Sequence, residues 1–165
     1  MTETFLPTPL FGHFQNPGYE FLLGIYWMKE AQVIGSSEKT RYYLPAKALL
    51  SACNAIDGYV DIVGSKVDPQ WEPIDEETVP LKERLTGIYQ SLNLPFDSNQ
   101  GIWRDVLLMF RLRENLSRFA LSSVYDAKEG TVVPPIFKVV SQSYPIRRTH
   151  AIAEEAIELL LSISK

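Results

Sequence analysis

From Leu44 to Val63 the chain places an apolar residue every three or four positions: Leu44, Ala48, Ala52, Ile56, Tyr59 and Val63. That spacing follows the 3.6-residue turn of an α-helix and not the two-residue alternation of a half-buried strand. A helix with so wide an apolar face has to be covered by other helices. The sequence supplies them. Leu81, Leu85, Ile88 and Leu92 form a second stripe, Ile102, Val106, Met109, Leu116 and Ala120 a third, and Ile152, Ala156, Leu159, Leu160 and Ile163 a fourth. No comparable strand pattern exists, so the expected fold is all-α.

Local signals set the expected boundaries. Asn16-Pro17 offers a capping amide followed by a proline suited to the first helical position, so a helix starts there and stops near Gly35. It is apolar on most sides, which predicts deep burial. A second helix is expected from Leu44-Pro45 to about Gly64. A third follows Pro80, with Glu76 and Glu77 near its positive end. The fourth spans about Gln100 to Ser123. Residues 124–145 contain Gly130 and the pair Pro134-Pro135 between short β-branched runs, which reads as a long irregular loop. A last helix covers about 146–164, with Thr149 as its capping residue. The sum is a five-helix, mainly up-and-down bundle. It forms a single helical domain over 1–165, with residues 1–16 as an extended arm.

Composition narrows the function classes. At 165 residues with 45% hydrophobic and 22% charged side chains, the chain has the balance of a globular protein. A net charge of −4 argues against a surface that tracks nucleic acid everywhere, while leaving room for a local basic patch. Cys53 stands alone inside the run ALLSACNAIDGYV, as expected of a small buried filler. The N-terminus lacks a basic segment followed by an apolar core, and no uninterrupted apolar stretch is long enough to span a bilayer. A cytoplasmic protein with no membrane association is expected. There is no glycine-rich phosphate loop, no paired-cysteine motif and no nucleophile elbow. No metal and no cofactor is expected. The stripe His150, Glu154 and Glu158 lacks the partner glutamates of a carboxylate metal site and reads as a solvated face.

One residue breaks the pattern. At roughly 100° per residue, Arg113 points within about 20° of Ile102, Val106 and Ala120, in the middle of an apolar stripe. Arg104, Arg111 and Arg118 point to the other side with Asn115. A guanidinium in an apolar interface is costly unless it is paired or hydrogen-bonded. Three readings compete: a side chain that reaches solvent or an acid such as Asp57 or Asp61, an ion pair inside the bundle, or an arginine lining a cleft or dimer seam where it meets phosphate.

The order of these features resembles the HEPN superfamily of small helical domains. ALLSACNAIDGYV is similar to the family's "ALLxAxxAIE" helix, with Asp57 at the acidic position. LKERLTGIYQSLNLPF matches the helix and broken linker that follow. Trp103 opens the next helix, which ends in Arg113-Glu-Asn-Leu-Ser-Arg118 where the family carries arginine, four to six residues, then histidine. AIAEEAIELLLSI matches the closing helix. The resemblance covers roughly residues 44–164. It implies a homodimer whose arginines and histidines meet at a cleft and cut RNA without a metal. It also implies a role in a prokaryotic defence or toxin–antitoxin type system.

Two positions depart from the motif: Glu114 replaces the asparagine after the arginine, and Arg118 holds the histidine position. Histidine can shuttle a proton near neutral pH, whereas arginine does not deprotonate in proteins. The resemblance therefore implies a non-catalytic RNA- or nucleotide-binding module, with Arg113, Arg118, Asn115 and Asp57 as ligand-binding candidates. An active endoribonuclease using Arg113 with His150 is one alternative. A helical protein-interaction module without a nucleic-acid role is the other. Tyr42, Tyr43, Trp71 and Tyr89 are candidates for a dimer seam or a base-stacking surface.

Overall fold

Six helices account for the regular structure in a computed structural model that describes residues 17–34, 38–72, 79–118 and 133–165. They are α1 (Pro17–Ile34), α2 (Glu38–Val67), α3 (Leu81–Ser91), α4 (Gly101–Arg118), α5 (Pro135–Ser143) and α6 (Ile146–Ile163). No strand occurs among the described residues, so the chain is an all-α bundle. The expected arm at 1–16, the acids Glu76 and Glu77, and Ala120 lie outside the described residues. So do the side chain of Arg118 and the first part of the expected loop.

α2 is the hub, in contact with each of the other five helices. It is buried on nearly every side, with Leu49, Cys53, Ala55, Ile56 and Val60 all fully enclosed. The other helices contribute the stripes read from sequence: Leu85 and Ile88 from α3, Val106, Met109 and Leu116 from α4, and Ala156 and Leu160 from α6. The helix starts earlier than expected, at Glu38, and carries Pro45 in its interior. An internal proline removes one backbone hydrogen bond and crowds the preceding turn. Tyr43 and Ala46, buried on either side of it, supply the packing that offsets this cost.

Two further expectations are corrected. α1 is not deeply buried. Among its described side chains Phe21 is only partly covered and Tyr26 is 49% exposed, because the helix packs on one side against α2 and α6. Lys47 of α2 lies 4.6 Å from the Trp27 ring and helps to hold it there. The interval 124–145 is not a continuous loop, since α5 lies within it. Pro134 and Pro135 occupy the cap and first helical positions of α5, where a missing N–H costs nothing. Val133, Phe137, Val140 and Tyr144 then form one buried stripe, with Phe137 edge-on to Tyr43 at 5.1 Å. Among the described residues six helices therefore replace the expected five.

The start of α6 also differs. Pro145 is the cap, and Thr149 is a fully buried residue inside the helix whose hydroxyl donates to the Tyr144 carbonyl at 3.3 Å. Two arginines beside a positive helix end are unfavourable in isolation. Arg148 turns away from it, donating to the Ser143 carbonyl at the end of α5 (2.7 Å) with its guanidinium over the Tyr144 ring.

α3 ends in a left-handed Asn93 (φ 53°). The N–H groups of Asn93 and Leu94 donate back to the carbonyls of Gln90 and Tyr89, a Schellman closure that reverses the chain. Beyond the turn, the Trp103 indole N–H donates to the Tyr89 hydroxyl oxygen at 2.7 Å and pins the start of α4 to the end of α3. Burial pushes the phenols of Tyr89 and Tyr144 above the usual 10.0, against smaller opposing effects of Trp103 and Arg148 respectively. A proton held more tightly in the folded state gives stability that is intact below about pH 10 and lost as pH rises through the raised values. Denaturation midpoints followed from pH 9 upward should fall, and the fall should be shallower in Tyr89→Phe and Tyr144→Phe.

Glycine matters most where α2 nears its end. A Cβ on Gly64 would land in the Trp71 ring, which folds back against the helix from the following turn. Gly87, in α3, has open space at the same position. Gly87→Ala should therefore gain up to about 1 kcal/mol from reduced backbone entropy. Gly64→Ala should lose about 1–3 kcal/mol through overpacking, with altered Trp71 fluorescence. Chemical denaturation of the two variants checks both signs.

Candidate functional site: a groove between α3 and α4

Asp57 and Asp61 stand one helical turn apart on α2 and therefore share a face. Arg84 of α3 grips both: Nη1 lies 3.1 Å from Asp57 Oδ1 and Nη2 lies 3.1 Å from Asp61 Oδ1. Nη2 also donates to the Asp57 carbonyl at 3.4 Å. The other oxygen of Asp57 accepts from Arg113 Nη1 of α4 at 2.6 Å. Asp57 is thus bracketed by two guanidinium groups, one from each neighbouring helix. Arg84 and Asp57 are almost fully buried, while the Arg113 side chain is 16% exposed.

This answers why an arginine interrupts the apolar stripe of α4. Arg113 lies over the Phe110 ring at 4.4 Å, and its charged end meets a buried carboxylate. The first and second readings of that residue merge: its stem packs against apolar surface, and its head is ion-paired.

Arg84 was not foreseen. It lies at the edge of the α3 stripe, roughly 60° from Leu81 at 100° per residue. An arginine beside Leu81 and Leu85, together with two aspartates at i, i+4 on another helix, was the available signal.

The geometry of α3 and α4 follows from these contacts. Near the turn they are joined by Tyr89 and Trp103, with ring centroids 6.3 Å apart. Further along they make few direct contacts, and Asp57 of α2 links them through Arg84 and Arg113. The gap is an open groove of about 250 Å³. Leu81, Lys82 and Arg84 form its α3 wall. Leu107, Phe110, Arg111, Arg113 and Glu114 form its α4 wall, and Asp57 lies at its base. Lys82 and Arg111 are exposed, and among the described residues neither makes an ion pair. Arg111, read from sequence as pointing away, flanks the groove because its wall wraps well over a quarter of the way around α4.

The remaining candidates fall elsewhere. Asn115 is exposed and is not part of the groove lining. His150 lies on α6 against Phe21, with ring centroids 4.8 Å apart, beside Ala48 and Ala52 of α2. Asp57 is five and nine residues beyond those alanines, roughly 140° and 180° around the helix at 100° per residue. Within one chain, α2 therefore separates His150 from Arg113. His150 Nδ1 is 3.9 Å from Glu154, and Nε2 is buried without a hydrogen-bond partner.

Among the described residues no three His, Cys, Asp or Glu side chains gather as metal ligands would. No helix among them is long and apolar enough to cross a membrane. Of the aromatic candidates, Tyr43 and Tyr89 are core residues, and Tyr42 lies between the cations of Arg41 and Lys138. Trp71 packs on Gly64.

Comparison with protein-family models, with curated proteins and with solved structures finds no match to this chain.

Proposed function

We propose that the chain is a HEPN-like RNA-binding module, homodimeric and without nuclease activity, serving a prokaryotic defence or toxin–antitoxin type system. The observation that carries this reading is the sign of charge in the groove. On a chain of net charge −4, Lys82, Arg84, Arg111 and Arg113 converge on one cleft, where Asp57, Asp61 and Glu114 are the acids among the described residues. Among the described residues two of the four cations, Lys82 and Arg111, stand at the rim without a carboxylate partner, which suits a phosphate backbone.

The absence of catalysis rests on proton transfer. The described lining of the groove contains no histidine, and its arginines cannot accept a proton at neutral pH. Arg113 is also held by Asp57, whose carboxylate is taken up by two guanidinium groups, so it positions charge and does not move a proton.

Binding of a short single-stranded RNA, followed by fluorescence anisotropy across a salt series, tests the reading. Contact with about three phosphates gives log K falling against log[salt] with a slope of about −2. The double variant Lys82→Glu/Arg111→Glu should abolish binding without lowering the melting temperature. Absence of binding by the parent protein at low ionic strength would favour a protein-interaction role instead.

A further inference from the structure

Arg104 and Arg111 of α4 take no part in the buried network that holds Arg113. Both are exposed. At 100° per residue they lie about 20° apart, and the seven residues between them make two turns, about 10 Å. α4 carries Asp105 and Glu114 as its acids. Arg104, with a side chain 62% exposed, pairs with the adjacent Asp105 at 3.5 Å, and among the described residues Arg111 makes no ion pair. A pair that exposed adds little stability. Leu108, 40% exposed, stands one turn from each arginine, so this side of α4 is not a uniformly polar solvated face.

From the groove rim at Arg111 the line runs through Arg104 to the corner where α5 ends and α6 begins. Burial raises the Tyr144 phenol there, the charges of Arg148 and Arg104 both oppose that rise, and Asp105 adds to it. Arg104 and Arg148 therefore stand within electrostatic reach of one tyrosine. Arg148 is already oriented. Its guanidinium lies 5.0 Å from the centre of the Tyr144 ring, and Nη1 donates to the Ser143 carbonyl at 2.7 Å. A guanidinium has five N–H donors, and one fixed by stacking loses less freedom when a phosphate binds. Arg147 beside it is also exposed, and the first turn of α6 contains no acid. On a chain of net charge −4, such a line of one sign concentrates a polyanion locally.

We infer that the exposed side of α4 is a track that leads a single RNA strand from the groove to the α5–α6 corner, with backbone phosphates at Arg111, Arg104 and Arg148. The inference rests on the RNA-binding reading and specifies the ligand: a strand long enough to reach both ends, not a lone nucleotide. A stacked strand places a phosphate about every 3.4 Å, so about three intervals separate Arg111 from Arg104. A tetranucleotide fills the groove and its rim, whereas a dodecanucleotide covers the whole line.

Fluorescence anisotropy of the full chain with a tetra- and a dodecanucleotide of uridine, each across a salt series, tests this. The slope of log K against log[salt] is the readout, because the number of registers open to a longer strand does not change it. The dodecamer slope should be steeper by about 1.4, from two further phosphates at about 0.7 each. Arg104→Gln/Arg148→Gln should erase that difference and leave tetranucleotide binding unchanged. Arg104→Gln alone, at the more exposed position, should erase about half of it and stands in if the double variant unfolds. Lys29→Gln/Lys66→Gln removes the same charge from exposed positions on α1 and α2 and should leave the difference intact. Equal slopes for the two lengths, or an equal loss in Lys29→Gln/Lys66→Gln, would overturn the track and leave groove binding of RNA standing. A difference that survives Arg104→Gln/Arg148→Gln would also overturn it, by locating the added contacts elsewhere. No binding of either strand at low salt would overturn both readings together.

Discussion

Asp57→Ala is expected to cost about 3–5 kcal/mol, the range for removing one partner of a buried ion pair. The side chain is small, and the loss does not come from its packing. Arg84 and Arg113 approach the same carboxylate from opposite sides, and its removal leaves two guanidinium groups facing one another. Arg84 is nearly fully buried and keeps as its charged partner the partly exposed Asp61, with the backbone carbonyl of residue 57. Arg113→Ala should cost less, about 1.5–3 kcal/mol, the worth of a hydrogen bond to a charged group, because Asp57 keeps Arg84. The order of these losses in urea denaturation separates a three-residue network from two independent pairs. Equal, small losses would show that α3 and α4 do not depend on Asp57.

Phe137→Ala is expected to be as damaging, at about 3–5 kcal/mol for a fully enclosed phenylalanine. Its ring sits on Tyr43 of α2 and is the largest fully buried side chain in the molecule's described part. α5 has only nine residues and no side-chain cap, so packing and not intrinsic propensity holds it. Amide exchange in the variant should rise first over residues 135–143 and only later in α2. Uniform acceleration would mean that α5 folds as one unit with the hub.

How much of this was legible depended on the kind of signal. Periodic stripes identified α2, α3, α4 and α6, because burial on one face repeats at the helical period whatever the partner is. α5 was missed for a specific reason. A double proline signals a breaker as readily as a helix start, and only the first-position role that Pro17 also plays favours the helix. The 4-3-4 spacing of Val133, Phe137, Val140 and Tyr144 was available. α1 misled in the opposite direction: an apolar sequence does not say whether enough surface exists to cover it. At the site, Arg113 and Asp57 were both identifiable as a misplaced charge and an acid on an apolar helix. Arg84, Lys82 and Arg111 were not, because a cleft between two helices depends on how they diverge from a third. Periodicity within one helix carries no information about that divergence.

A groove that holds RNA without cutting it leaves the bound strand intact. Labelled RNA incubated with the protein in EDTA, resolved on a native gel and then re-run from the retarded band under denaturing conditions, tests this directly. The expected result is a retarded complex that yields full-length RNA and is lost in Lys82→Glu/Arg111→Glu. Shorter fragments that vanish in Arg113→Ala would contradict it and establish a nuclease, with His150 of a second copy as the first base to examine.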